Sequence, residues 1–137
     1  MYQELHGTYF SVLQENNMSM ITRFEDIHAW QEARKLVKMI YELTNSGALS
    51  KDFGLRDQIQ RASVSSMTNI AEGFDCESKP EFGRFLGFAR RSAVEVQSLL
   101  YAAFDINYIN EAQLEEYYEQ ARKTKALIGG FKHSLKK

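Results

Sequence analysis

The sequence predicts an all-α fold, an antiparallel four-helix bundle with up-down-up-down topology, and three observations carry this prediction. The chain of 137 residues contains one Pro, the residue type that breaks helices most strongly. Four long segments repeat apolar residues at spacings of three and four, which is the period of one helix face. The segments between them are short, and short connections make consecutive helices antiparallel neighbours.

The first helix is predicted from about residue 26 to about residue 44. Its apolar face consists of Ile27, Trp30, Ala33, Val37, Ile40 and Thr44. The following stretch NSGALSKDFG is rich in Asn, Ser and Gly, which predicts a loop. Residues 1–20 have weak periodicity, so we interpret them as an N-terminal extension, either a tail or a short extra helix, ahead of a bundle domain at residues 21–137.

The second and third helices are predicted to form a hairpin with a short turn. The second extends from about residue 53 to about residue 72, and we expect Gly73 to close it in the left-handed conformation. The third begins with Ser78 as N-cap and Glu81 as its partner in a capping box. It ends at Asn107, a residue type that tolerates the left-handed conformation.

The segment RASVSSMTNIAEGF, residues 61–74, is rich in small polar residues. Equal distances from the turn place Asn69 opposite Gly83 and Ser65 opposite Gly87. Small residues on both helices allow the two backbones to approach closely. We interpret the segment as a site of close helix packing, and a polar binding groove is the alternative.

Polar side chains of the same hairpin form a predicted structural cluster. Its members are Gln58, Arg61, Asn69, Glu72 and Glu95. Within it we expect an ion pair between Arg61 and Glu95, because a partly buried charge tolerates few alternative partners and can fix the register of two helices. The alternative is a pocket that binds a small ligand through Arg61, Glu72 and Glu95.

The fourth helix is predicted to begin with a capping box between Asn110 and Gln113. The net charge of the chain is −1, yet no acidic residue follows Glu119. The candidate nucleic-acid-binding residues are Arg122, Lys123, Lys125, Lys132 and Lys136. Binding through them would tolerate many sequences and weaken steeply with salt. The alternative is that these cations solvate the last helix and complement its dipole.

Aromatic and basic residues interleave in FGRFLGFARR of the third helix. Phe88 is displaced from the core stripe toward Arg84 and Arg91. A helix with so broad an apolar face usually has a second partner, which favours a subunit interface over base stacking.

Neither a catalytic centre nor a metal site is predicted. Glu25 and His28 supply the Glu-x-x-His spacing of a di-iron bundle once, whereas such a site needs it on two helices. Cys76 lies between Asp75 and Glu77, whose negative charges should raise the pKa of the thiol and reduce its reactivity. The sequence has neither a phosphate-binding loop nor a dinucleotide fingerprint. We therefore expect no enzymatic activity and no cofactor.

The expected location is the cytoplasm, without a membrane partner. A single Cys excludes an internal disulfide and is typical of a reducing compartment. No apolar run approaches the roughly 20 residues that span a bilayer, and the amino terminus shows no secretory signal.

Four segments in order, DIHAWQEA, LRDQIQRASVSSMTNIAEGF, EFGRFLGFARRSAVEVQSLL and INYI, resemble the four-helix-bundle proteins encoded in 23S rRNA intervening sequences of bacteria. The resemblance covers the chain from Phe24 onward. It implies a homo-oligomeric ring of bundles, with a pentamer favoured, and no enzymatic activity. It also implies a relation in fold to the accessory variability determinant of diversity-generating retroelements, a basic bundle that binds reverse transcriptase and nucleic acid.

The predicted function is therefore that of a non-enzymatic oligomeric binding or scaffold protein. Its expected association is with RNA, or with a ribonucleoprotein or reverse-transcriptase complex. A purely structural ring with a protein partner remains an alternative, as does a small-ligand-binding bundle that uses Arg61, Glu72 and Glu95.

Overall fold

The structure is a computed structural model that describes residues 10–14 and 17–136. Residues 1–9, 15–16 and 137 lie outside the described part, and with them much of the predicted N-terminal extension. The described elements are β1 (Phe10–Gln14), β2 (Asn17–Ile21), a 3-10 turn (Phe24–Asp26), α1 (His28–Leu43), α2 (Gly47–Lys51), α3 (Phe53–Phe74), α4 (Lys79–Asp105) and α5 (Glu111–Ser134).

The four long helices form a bundle in which consecutive helices are antiparallel. α3 packs against α4, α4 packs against α5, and α1 packs against both α3 and α5. Thr44, directly after α1, is hydrogen-bonded to Gln60 early in α3, and Tyr101 near the end of α4 contacts Tyr118 near the start of α5. The end of one helix thus lies beside the start of the next, as antiparallel neighbours require. The helical fold class predicted from the apolar spacing is confirmed for these four helices.

Three aromatic rings hold one end of the bundle together. Phe82 in the first turns of α4 contacts Phe74 at the end of α3, with ring centroids 5.9 Å apart. The same ring contacts Phe131 near the end of α5, with centroids 5.4 Å apart. Both Phe74 and Phe82 are almost fully buried. These contacts fix the start of α4 against the end of α5. Several basic side chains lie at this end of the bundle.

The start of the bundle differs from the predicted boundaries. α1 begins at His28, because Phe24–Asp26 forms a separate 3-10 turn. On the buried face, Leu36 is fully buried, whereas Val37, which was expected there, is half-buried. The predicted loop after α1 contains the short helix α2, and burial of Leu49, which is 2% exposed, anchors it to the core.

The N-terminal segment forms a β-hairpin where it is described. β1 and β2 pair antiparallel, with Phe10 opposite Ile21 and Gln14 opposite Asn17. The interpretation of this segment as a tail or a short helix is therefore wrong for both strands. In β2, Asn17 and Ser19 alternate with two Met residues, and this period of two is the pattern of a strand.

Local signals at three helix ends are confirmed. Asn107 has a φ of 64° and ends α4 in the left-handed region. Asn110 Oδ1 accepts a bond from the Gln113 backbone N–H at 2.8 Å, and Gln113 Oε1 accepts from the Asn110 N–H at 2.9 Å. Ser78 caps α4, since its Oγ accepts from the Glu81 backbone N–H at 3.3 Å.

The prediction that Gly73 closes α3 in the left-handed conformation is wrong. α3 continues through Gly73 to Phe74, and Gly73 has no positive φ. A Cβ built on Gly73 would lie 2.7 Å from Phe85 Cβ and 2.9 Å from Phe82 Cδ1. Glycine is needed here because α4 approaches the α3 backbone too closely for any side chain.

The register of the α3–α4 hairpin also differs from the predicted one. Ser65 faces Ser92, with their hydroxyl oxygens 2.9 Å apart, rather than Gly87. Gly87 lies beneath the Lys132 side chain of α5, and a Cβ on Gly83 would meet no atom within 4 Å. The turn is centred beyond Cys76, because α3 includes Gly73 and Phe74. Close packing is thus real, but the residues that permit it are not the predicted glycines.

Candidate nucleic-acid interface

The predicted basic residues at the end of the chain divide into two groups, and in the first group Arg122 and Lys123 pair with carboxylates. Arg122 Nε donates to Glu119 Oε2 at 2.8 Å. Lys123 Nζ lies 3.3 Å from Glu32 Oε1 on α1. Lys125 is half-buried. The charges of Arg122 and Lys123 are therefore compensated within the chain itself.

Glu32 connects α1 to α5 through several bonds. Gln120 Nε2 donates to Glu32 Oε1 and to the Glu32 backbone oxygen, each at 3.0 Å, and Thr124 Oγ1 donates to that backbone oxygen at 3.3 Å. Burial by itself raises the pKa of the Glu32 carboxyl, but the hydrogen bond from Gln120 and the nearby Lys123 ammonium outweigh it and lower this pKa from 4.5. Lys123 thus has a structural partner in the bundle.

The second group, Lys132 and Lys136, lies in a cleft between the first turns of α4 and the last turn of α5. The cleft has a volume of about 370 Å³. It is lined by Lys79, Pro80, Gly83, Arg84, Lys132, Leu135 and Lys136. Two cations of α4, which the sequence analysis did not single out as a site, therefore join two of the predicted cations of α5. We call this concavity the basic cleft.

The basic cleft concentrates positive charge without compensation. Among the described residues, no carboxylate forms an ion pair with any of its four cations. Lys132 Nζ lies across Gly87, 3.2 Å from the position that a Cβ would occupy. Four like charges in one concavity raise the local concentration of anions.

Gly83 lines the basic cleft without being required by packing. A Cβ on Gly83 would meet no atom within 4 Å, and Gly83 has no positive φ. Glycine within a helix is less favourable than Ala by roughly 0.5–1 kcal/mol. The fold therefore gives no reason for this glycine, in contrast to Gly73.

Arg84 is positioned by two aromatic rings of its own helix. Its guanidinium carbon lies 5.9 Å from the centroid of Phe85 and 5.7 Å from that of Phe88. The guanidinium of Arg91 lies 5.1 Å from the Phe88 centroid. Phe88 is 36% exposed, so its predicted displacement from the core toward Arg84 and Arg91 is confirmed.

The predicted polar cluster is spread along the hairpin. Gln58 Nε2 donates to Glu95 Oε2 at 3.3 Å, and the expected Arg61–Glu95 pair is not found among the described residues, where Arg61 is exposed. Asn69 donates to the Ser65 backbone oxygen of its own helix at 2.9 Å. At about 1.5 Å per residue, Arg61 and Glu72 are separated by about 16 Å along α3.

Glu72 lies instead in a second concavity, between the 3-10 turn and α3. One part of it, of about 440 Å³, is lined by Thr22, Arg23, Phe24, Glu25, Ala71, Glu72, Phe74 and Asp75. Three of these side chains are carboxylates, so this concavity disfavours phosphate. Of the three residues in the small-ligand alternative, Glu72 lines this concavity, whereas Arg61 and Glu95 do not.

Cys76 has the unreactive environment that its acidic neighbours predict. Burial raises the pKa of the thiol, and the Glu81 carboxyl and the charge of Asp75 raise it further. The thiol itself donates to the Glu72 backbone oxygen at 3.5 Å, and the Glu81 side chain does not return to the Ser78 backbone as the predicted capping box requires. Among the described residues, no three His, Cys, Asp or Glu side chains converge as a metal site would require.

Most of the chain matches the sequence model of a known protein family. The sequence model of the 23S rRNA-intervening sequence proteins matches residues 25–130. The chain belongs to this family. The match includes Lys79 and Arg84 of the basic cleft, whereas Lys132 and Lys136 lie beyond its end. The resemblance to this family that the four sequence segments predicted is thereby confirmed, and the relation to retroelement accessory proteins stays a prediction.

A solved structure supports the same assignment. It is a protein of unknown function from the S23 ribosomal protein family of Bacteroides thetaiotaomicron, with 25% identity and a TM-score of 0.62. The similarity covers 73% of this chain and 90% of that chain. No curated protein matches the sequence. Within the described residues, no helix combines the length and the apolar character that crossing a bilayer requires.

Lys79 and Arg84 are the residues of the basic cleft that the sequence analysis missed as binding candidates. Their charges are interspersed with Glu77 and Glu81 along the chain, so they form no basic run. A weaker signal existed, because Lys79 and Gly83 lie one helical turn apart and Arg84 follows, which places all three near one face. Only the packing of α4 against α5 brings that face to Lys132 and Lys136.

Proposed function

We propose that this protein is a non-enzymatic, homo-oligomeric binding protein that associates with RNA in the cytoplasm. The observation that carries the RNA association is the acid-free part of the chain after Glu119, which contributes the half-buried Lys132 and the exposed Lys136 to the basic cleft. Membership of a family named for 23S rRNA intervening sequences supports RNA as the partner over a protein alone. A ribonucleoprotein or reverse-transcriptase complex would present such RNA together with protein.

Assembly into a ring would make these contacts effective. A few phosphate contacts per chain bind weakly, whereas a ring repeats them in every subunit and raises the avidity without new chemistry. The exposed Phe88 on the outer face of α4 supports the existence of a second partner for this helix. A pentamer is the ring size that we favour.

The RNA association is tested by fluorescence anisotropy of a labelled oligouridylate with the full chain at several salt concentrations. We expect binding that tolerates changes of RNA sequence and weakens as salt rises, because neutralised phosphates release counterions. Absence of binding at low salt would contradict the proposed function. Strong preference for one short sequence would contradict binding through the backbone.

Assembly is tested separately by light scattering during gel filtration. We expect a mass of several subunits, and a monomer at micromolar concentration would contradict the ring. Phe88→Ala should weaken the assembly, because it removes an exposed ring from the proposed contact face. Tyr101→Ala serves as the control, since Tyr101 is an exposed aromatic residue of the same helix that contacts Tyr118 within the chain.

A further inference from the structure

We infer that the basic cleft is a phosphate-binding site for the RNA backbone, formed by Lys79 and Arg84 of α4 with Lys132 of α5 and Lys136 just beyond its end. This inference rests on the proposed RNA association and names its place on the molecule. It moves the site away from Arg122 and Lys123, whose charges face Glu119 and Glu32. It also makes two residues of α4, a different helix, partners in binding.

The position of Lys79 is the first argument. Lys132 lies in the last turn of α5, where the helix dipole favours a cation, so its charge alone needs no ligand. Lys79 lies in the first turn of α4, where the same dipole disfavours a cation. An anion in the cleft would be attracted both by the positive end of α4 and by the four side chains, and it would relieve their mutual repulsion.

Gly83 is the second and independent argument. It lines the cleft, has helical backbone geometry and faces open space where a Cβ would project. A helix interior without a side chain allows a ligand to approach the backbone closely. A glycine that packing does not explain therefore lines the cleft, where it leaves room for a bound phosphate.

Arg84 supplies the third argument through its geometry. Its guanidinium stacks near Phe85 and Phe88, which restricts the conformations that the side chain samples before binding. A planar guanidinium donates two parallel bonds to a phosphate, whereas Lys ammonium groups contribute point charges. The cleft thus combines one oriented donor with three flexible cations.

The dimensions of the cleft agree with a ligand of this class. Its volume of about 370 Å³ is at the small end of the range of about 300–1,000 Å³ for ligand sites. Pro80 and Leu135 form apolar parts of its lining. Such a site admits a backbone phosphate with its sugar, while the rest of the RNA continues over the surface.

Charge-neutral variants test the location. Lys79→Gln combined with Arg84→Gln removes two charges from the cleft, and Arg122→Gln combined with Lys123→Gln removes the same number outside it. We expect the cleft variant to weaken oligouridylate binding about tenfold and to make its salt dependence shallower, because charge-assisted bonds to phosphate are lost. The comparison variant should bind within about twofold of the unmodified chain, since Arg122 and Lys123 pair with Glu119 and Glu32 rather than lining the cleft.

Glycine variants separate binding from folding. Gly83→Ala adds a methyl group to the cleft, and Gly130→Ala adds one to α5, where a Cβ likewise meets no atom within 4 Å. Both should raise the melting temperature by a few degrees, because Ala favours a helix over Gly. Only Gly83→Ala should weaken RNA binding. A protein that is more stable yet binds less is a result that a purely structural role of Gly83 does not produce.

The outcomes distinguish this inference from the proposed function. Suppose that the cleft variant binds RNA normally and the Arg122 and Lys123 variant does not. This result would overturn the basic cleft as the binding site and leave the RNA association intact. No RNA binding by the unmodified chain would overturn both. Binding of inorganic pyrophosphate in a calorimetric titration, with no binding of oligouridylate, would identify a free phosphate ligand and overturn the RNA assignment. The phosphate site in the basic cleft would be supported if the cleft variant and Gly83→Ala bind RNA less, while the Arg122 and Lys123 variant and Gly130→Ala bind it normally.

Discussion

Gly73 on α3 lies in close contact with Phe85 on α4, since a Cβ on Gly73 would lie 2.7 Å from Phe85 Cβ. Gly73→Ala should therefore destabilise the protein by about 1–3 kcal/mol, because overpacking forces the backbones apart. Urea unfolding monitored by circular dichroism measures this change. Gly130→Ala, in open space, should change stability in the opposite direction, and equal effects of the two substitutions would contradict the close approach.

The hydrogen bond between Ser65 and Ser92 fixes the register of the same hairpin. Ser65→Ala and Ser92→Ala should be coupled by about 0.5–1.5 kcal/mol, because each removes the other's partner across the helices. A double-mutant cycle of unfolding free energies measures the coupling. Ser63, which donates to the Gln60 backbone oxygen of its own helix, gives the control cycle with Ser92. Additive effects for Ser65 and Ser92 would contradict the observed register.

The lowered pKa of Glu32 predicts an acid-sensitive contribution to stability. A carboxyl whose pKa is lower in the folded state stabilises the fold above its unfolded-state pKa, and this contribution disappears as pH falls through the folded-state pKa. The free energy of unfolding of the unmodified chain should thus exceed that of Glu32→Gln at neutral pH, and the difference should shrink below pH 4.5. Urea titrations across this range test the prediction. Parallel curves for both proteins would contradict it, and Lys123→Met should reduce the pH dependence.

The raised pKa of Cys76 predicts slow alkylation. The thiolate is the reactive form, so a higher pKa leaves less of it near pH 8. Iodoacetamide should modify Cys76 more slowly than a free cysteine in the same buffer. Glu81→Gln should accelerate the reaction, because it removes a nearby negative charge that raises the pKa of the thiol. Glu77→Gln is the control on the same turn, and an acceleration that is equal in both variants would contradict a specific effect of Glu81.

The sequence by itself determined the helical fold and several helix ends. Apolar spacing depends only on the period of the helix, and the bonds of a cap join residues three positions apart. Local sequence therefore predicted the left-handed end of α4 at Asn107 and the capping box of Asn110 with Gln113. The structure confirms both. The alternating pattern of β2 was equally local, yet its short length gave a weak signal beside the long helices.

Only the tertiary structure decided which distant residues meet. The register of α3 against α4 depends on how the side chains of the two helices pack together. In the structure Gly73 allows close contact with α4, and Ser92 is the hydrogen-bond partner of Ser65. The basic residues followed the same rule. Lys123 forms an ion pair with Glu32 on α1, whereas Lys132 and Arg84 line the basic cleft together. Packing, rather than order along the chain, sets the distance between charges on different helices.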